Sequence, residues 1–211
     1  MKTALLLLAA SLAAVSSGCA SIERSRNLHN PAVAGRTLAE QVCSNCHGLD
    51  GNSVSPNFPR LAGQPSGYLA SQLKQFRSHN RSDPAGFVYM WGLSRGLTDA
   101  QIEELAKYFS EQVPKPNAPG DARLAETGRG IFDTGIASQN VPPCSSCHGP
   151  KGYGTETFPR LAGQHSDYVV KQLGVFRNTE QRPEGAVMKT VTHSLTPQDM
   201  QAVAAYMQGL R

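Results

Sequence analysis

Cys43-Ser44-Asn45-Cys46-His47-Gly48 and Cys144-Ser145-Ser146-Cys147-His148-Gly149 are two copies of one motif, and their reading decides the fold. Two thiols three positions apart share one face of a helical turn. Each can form a thioether to one of the two vinyl groups of a haem. The histidine that follows then stands beneath the iron and supplies a nitrogen to one axial position. C-x-x-C-H is the attachment signature of c-type haem. With similar sequence following both copies, the chain reads as a carrier of two covalent haem c groups. One is held by Cys43 and Cys46, the other by Cys144 and Cys147, with His47 and His148 as axial ligands.

Working outward, the two halves align along most of their length. Phe58-Pro59-Arg60-Leu61-Ala62-Gly63-Gln64 recurs as Phe158-Pro159-Arg160-Leu161-Ala162-Gly163-Gln164. Tyr68, Gln72-Leu73 and Phe76-Arg77 recur as Tyr168, Gln172-Leu173 and Phe176-Arg177. Gly96-Leu97-Thr98 parallels Ser194-Leu195-Thr196, and Tyr108 parallels Tyr206. Each half is therefore expected to be a complete domain around its own haem. The boundaries read as residues 30–113, a proline-rich linker at 114–120, and residues 121–211.

The local pattern is helical throughout, so the fold class is all-α. Thr98 and Gln101 have the spacing of a capping box. Ile102, Leu105, Ala106 and Phe109 follow at i, i+3, i+4, i+7 spacing, one buried face. Thr196 caps the matching helix, with Pro197 at its first position. Met200, Val203, Ala204 and Met207 form its apolar stripe. Middle helices are expected at 66–77 and 166–177, and a helix before each haem motif at 34–42 and 125–132. Residues 133–143, without counterpart in the first half, read as an elaborated surface loop. Domains of this size have little core of their own, so haem must fill much of it.

The chain has 211 residues, a net charge of +4 and five cysteines. With 39% apolar and 17% charged residues it is globular. No basic stripe points to nucleic acid. Four cysteines belong to the motifs; the fifth, Cys19, ends an N-terminal targeting segment, residues 1–18. Lys2 is its basic start, and residues 4–15 form an uncharged run. That run is too short for a membrane span, which needs about 20 residues. Two cleavage readings stand. Ser17-Gly18-Cys19 resembles a lipoprotein box, with cleavage before Cys19 and lipidation of its thiol. Ordinary signal cleavage after Ala20 is the other. Both place the chain outside the cytoplasm, in the periplasm, and lipidated Cys19 would anchor it at the membrane surface.

Function depends on the far side of each iron, because a methionine sulfur closes it and raises the potential. Beyond the initiator, Met90 is the only methionine of the first half; Met188 holds the matched place before the last helix of the second. Both are expected in loops, as sixth ligands. His29, His79, His165 and His193 recur at no matched positions and read as surface residues. His79 and His193 lie near enough in sequence to be alternatives to methionine. Pro59 and Pro159 are candidates to accept a hydrogen bond from the second nitrogen of the haem histidines. Arg77, Arg177, Tyr68 and Tyr168 read equally as partners of haem propionates and as outward-facing helix residues. Trp91 reads as core packing.

C-S-N-C-H-G, F-P-R-L-A-G-Q, Y-L-x-x-Q-L-x-x-F-R, the methionine and the last helix with its tyrosine together resemble the dihaem cytochromes c4. So does the second half's run from Gly130 to Gly149. The resemblance covers nearly everything from Ala34 to Leu210. It implies two tandem class I cytochrome c domains, each wrapped around one covalent haem with His–Met ligation, facing each other through their propionate edges. It also implies a one-electron carrier in a bacterial respiratory chain, taking electrons from a redox partner such as a quinol-oxidising complex and delivering to a terminal oxidase. Two other classes stand beside it. One is a cytochrome subunit of a periplasmic dehydrogenase. The other is a dihaem enzyme, such as a peroxidase or a thiosulfate-oxidising enzyme. A peroxidase needs an open iron, whereas both halves offer a methionine.

Overall fold

The computed structural model describes residues 25–84 and 86–211. In the first half a short α-helix, Gly35–Leu38, widens into a π-turn, Ala39–Cys43, and leads into the turn Ser44–His47. The middle helix Ser66–Arg77 follows, then a π-turn Gly86–Trp91, a short helix Gly92–Ser94 and the last helix Asp99–Ser110. The second half runs Ala122–Thr134, Ser145–His148, Ser166–Asn178, Ala186–Thr192 and Pro197–Gly209. Among the described residues there is no strand, only one antiparallel bridge between Ile136 and Val141. The all-α expectation holds.

Both last helices start as the spacing requires. Thr98 Oγ1 accepts from the Gln101 N–H while Gln101 Oε1 accepts from the Thr98 N–H. Thr196 and Asp199 repeat this in the second half, with Pro197 at the first helical position. Such caps contribute about 1 kcal/mol each. Each half closes on its own apolar core. Leu38, Ile102, Leu105 and Phe109 centre the first; Phe132, Val169, Met200, Val203 and Met207 centre the second. Met200 and Met207 are therefore core residues, as their stripe spacing implies. Each domain's first helix crosses its last at a glycine. A Cβ on Gly35 would stand 2.6 Å from Glu104 Cβ, and one on Gly128 would run into the Ala202 carbonyl.

The extra loop is more than surface. Ile136 and Val141 bond to each other's backbone at 2.9 and 3.2 Å, and a short 3₁₀ turn, Ala137–Gln139, lies between them. Val141 is buried in the second core. The loop is thus pinned by buried Val141 and partly buried Ile136 against the second core, a contact that neither residue announces in sequence.

The halves meet through a pseudo-twofold set of polar contacts. Gln64 accepts from the Arg160 N–H at 2.9 Å and donates to the Arg160 carbonyl at 2.7 Å. Gln164 does the same with Arg60, at 2.9 and 3.0 Å. The linker is tied down on both sides. The Lys115 N–H donates to Asn52 in the first half, and Gln208 in the last helix donates to the Ala118 carbonyl. His165 corrects the surface reading: it is buried here. Its Nε2–H donates to the Ser53 carbonyl at 2.9 Å, and its Nδ1 accepts from the Asn117 amide at 3.2 Å. Burial, the larger influence, holds this imidazole below its ordinary pKa.

Candidate haem sites

The two motifs fold alike. Cys43 closes the π-turn and Cys46 lies on the helical turn after it; Cys144 and Cys147 bracket the equivalent turn. All four cysteines are free, and Cys43, Cys46 and Cys144 are half-buried. Burial pushes the Cys43 thiol up to about 12 and the Cys144 thiol to about 11. Gly48 and Gly149 end the turns at φ +80°, a conformation that a side chain disfavours.

The histidines that follow are buried and oriented. His47 Nδ1 lies 2.9 Å from the Pro59 carbonyl oxygen, and His148 Nδ1 lies 2.9 Å from that of Pro159. A carbonyl only accepts, so Nδ1 carries the proton and the Nε2 lone pair is left for a metal. Burial, the larger effect, lowers both imidazole pKa values, and the proline contacts only partly offset it. Phe58 and Phe158 stand edge-on to the two rings, at 6.3 and 5.9 Å between centroids. A neutral imidazole with a free Nε2 beside two uncommitted thiols is the donor set that covalent haem requires. The residues present fit that group.

Both methionines sit in helical segments rather than loops. Met90 lies in the π-turn Gly86–Trp91 and Met188 in the helix Ala186–Thr192; each is half-buried. A hydroxyl four residues on accompanies each. Ser94 Oγ donates to the Met90 carbonyl at 2.7 Å, and Thr192 Oγ1 donates to the Met188 carbonyl at 2.8 Å. Both hydroxyl residues are fully buried. They pin the methionine backbone in the two halves alike. Their matched offset from methionine was the available signal, hidden because serine and threonine share no letter.

Neither alternative histidine is placed as the methionines are. His79 is exposed and stacked on Phe87 and Trp91, and His193 is exposed. Trp91 is not core packing: it is half-buried, parallel to Phe87 at 5.8 Å, with the Arg95 guanidinium over its ring. Arg77 and Arg177 are folding staples, donating to the Leu97 and Leu195 carbonyls at 2.9 and 2.7 Å. Cys19, the candidate lipid acceptor, lies outside the described residues.

The residues that sequence reasoning missed lie between the domains. Arg81 and Arg182 are buried there, each paired with a carboxylate, Asp83 at 2.8 Å and Glu184 at 3.0 Å. Removing one partner of such a buried pair costs about 3–5 kcal/mol. Tyr68 and Tyr168 reach the same place, each 3.5 Å from the arginine of the other domain. Neither tyrosine is simply outward-facing.

The comparisons with known proteins span both halves of the chain. A family model described as cytochrome c matches residues 32–112 and again 125–211. Cytochrome c4 of Azotobacter vinelandii is 37% identical over 85% of this chain and 89% of its own. A thiosulfate dehydrogenase electron acceptor of Stutzerimonas stutzeri is 35% identical over 82% of this chain and 80% of its own. The crystal structure of reduced recombinant cytochrome c4 from Pseudomonas stutzeri superposes with a TM-score of 0.76 at 38% identity. It covers 84% of this chain and 97% of that one. Two cytochrome c domains in tandem, related along nearly their full joint length to proteins of one kind, place this chain in the cytochrome c4 family, the electron-carrying dihaem c-type cytochromes.

Proposed function

We propose that each domain holds its haem c through the paired thiols, Cys43 with Cys46 and Cys144 with Cys147. His47 and Met90 are the axial ligands in the first domain, His148 and Met188 in the second. Pro59 and Pro159 orient the histidines. Haem so bound supplies a one-electron iron couple; the chain's part is to close both axial positions and hold them still. The observation that carries this reading is the matched support of both ligands in both halves, proline carbonyl to histidine and buried hydroxyl to methionine. A closed, six-coordinate iron rearranges little between its oxidation states. The protein then shuttles single electrons in the periplasm, without turnover chemistry, from a quinol-oxidising complex to a terminal oxidase.

The test is intact mass together with absorption spectra in the presence and absence of carbon monoxide. The mature protein is expected to exceed its peptide mass by two haems, and its reduced spectrum to change little with carbon monoxide. One haem by mass, or rapid carbon monoxide binding, would move the dihaem-enzyme reading ahead of the carrier.

A second reading keeps the carrier and changes the donor. The relative named as a thiosulfate dehydrogenase electron acceptor favours a periplasmic dehydrogenase as the source of electrons. Reduction of the purified protein by a quinol-oxidising complex, set against reduction by a thiosulfate dehydrogenase, separates the two.

The membrane is reached through Cys19. Among the described residues no helix is long and apolar enough to cross a membrane. Acyl chains on Cys19 would anchor the protein, at about 0.8 kcal/mol for each buried methylene. Cys19→Ser is expected to move it from the membrane to the soluble periplasmic fraction with both haems intact. An unmodified N-terminus beginning at Ser21 would establish ordinary signal cleavage instead.

A further inference from the structure

Four side chains at the domain interface form one closed ring. Arg81 Nη1 donates to Gln72 Oε1 of its own domain at 2.7 Å, and its Nη2 donates to Gln172 Oε1 of the other at 3.2 Å. Arg182 mirrors it, with Nη1 on Gln172 Oε1 at 2.6 Å and Nη2 on Gln72 Oε1 at 2.8 Å. Each glutamine oxygen thus accepts from both guanidiniums, and each guanidinium donates to both domains. The symmetry extends outward. Each guanidinium lies over a phenylalanine of its own middle helix, Phe76 and Phe176, at 4.4 Å. The four ring residues are 4–7% exposed.

We infer that this Arg81–Gln72–Arg182–Gln172 ring sets the reduction potentials of both haems together. Given the haem proposed for each domain, what matters is where the ring lies. Its contacts repeat across the pseudo-twofold relation between the halves, so neither arginine belongs electrostatically to one domain alone. Burial leaves its charge unscreened by salt and only weakly damped by solvent. A charge placed on such an axis acts on both irons, whereas one placed within a single domain acts mainly on its own.

The ring is balanced as it stands, through Asp83 and Glu184, but unequally. Asp83 is fully buried and also faces Gln172 of the other domain at 3.4 Å. Glu184 keeps one buried carboxylate oxygen without a partner. Removing the Arg81 charge therefore leaves Asp83 as net negative charge on the axis. Arg182 and the Gln172 amide still face it and favour its ionised form, against burial, which opposes it. Net negative charge that acts on an iron favours its ferric state.

The experiment is protein-film voltammetry of the two-haem protein, which resolves one wave per haem. Arg81→Gln is expected to move both waves to lower potential, by about tenfold in each reduction equilibrium or 59 mV for one electron. Arg81→Gln with Asp83→Asn removes a neutral pair and is expected to return both waves toward wild type. Arg81→Lys keeps the charge but not the planar fork that spans both glutamines, and is expected to keep both potentials. Movement of one wave alone in Arg81→Gln would overturn the inference while leaving the carrier reading intact. So would a double variant as shifted as the single one, because the effect would then be structural. If Arg81→Gln fails to fold, Asp83→Asn decides it, because it leaves the Arg81 charge uncompensated on the axis: both waves are expected to rise, and movement of one wave alone or of neither overturns the inference.

Discussion

Met90→Ala is expected to lower the reduction potential of the first haem by more than about 100 mV, within the roughly 0.8 V that axial ligands span. Met188→Ala is expected to do the same for the second. A thioether is a neutral, weak donor that favours ferrous iron. Its loss admits water, a harder donor that favours ferric iron. Each variant should also open one iron to carbon monoxide, and only one. The backbone should stay in place, because Ser94 and Thr192 hold the residue through its carbonyl rather than through its side chain. Voltammetry and carbon monoxide titration of each variant check this. Unchanged spectra in either variant would remove that methionine from the iron and reopen the sixth position.

Two glycines of one helix give the second large effect, with opposite signs. Gly128 and Gly130 both lie in the helix Ala122–Thr134. At Gly128 an added Cβ would run into the Ala202 carbonyl and stand 2.9 Å from Val203 Cα, both on the last helix. The obstacle is backbone, so the helices must part. Their separation loosens the core around fully buried Phe132 and Val203. Gly128→Ala is expected to destabilise the second domain by about 3 kcal/mol, the upper end of overpacking costs. Gly130 is exposed, with nothing within 4 Å of an added Cβ. There alanine gains the helix propensity that glycine lacks, and Gly130→Ala is expected to stabilise by up to about 1 kcal/mol. Thermal unfolding of the two variants checks both signs. For a domain of this size each 1 kcal/mol moves Tm by about 4–8 °C. Equal behaviour of the two would mean that the helix crossing is looser than its geometry implies.

What the sequence by itself determined was local or duplicated. The haem motif, the capping boxes at Thr98 and Thr196, the stripes of the last helices and the middle helices depend on spacing along one turn. Spacing survives without knowledge of anything distant. The repeat multiplied that information: it separated Met90 and Met188 from Met200 and Met207, and it singled out Pro59 and Pro159 before any distance was known. The tertiary structure decided what depends on residues far apart in the chain. Arg81 and Arg182 carry no signal in the sequence, because their partners Gln172 and Gln72 lie in the opposite domain. His165 read as exposed because Ser53 and Asn117, which satisfy its two nitrogens, come from the other domain and the linker. The Met90 and Met188 segments read as loops because they are short and carry no apolar period; their helical form shows only in the structure, where a buried hydroxyl four residues on meets each methionine carbonyl. Periodicity reports what faces the core of one element. A polar group buried between two domains has no period, and only its partners across the interface reveal it.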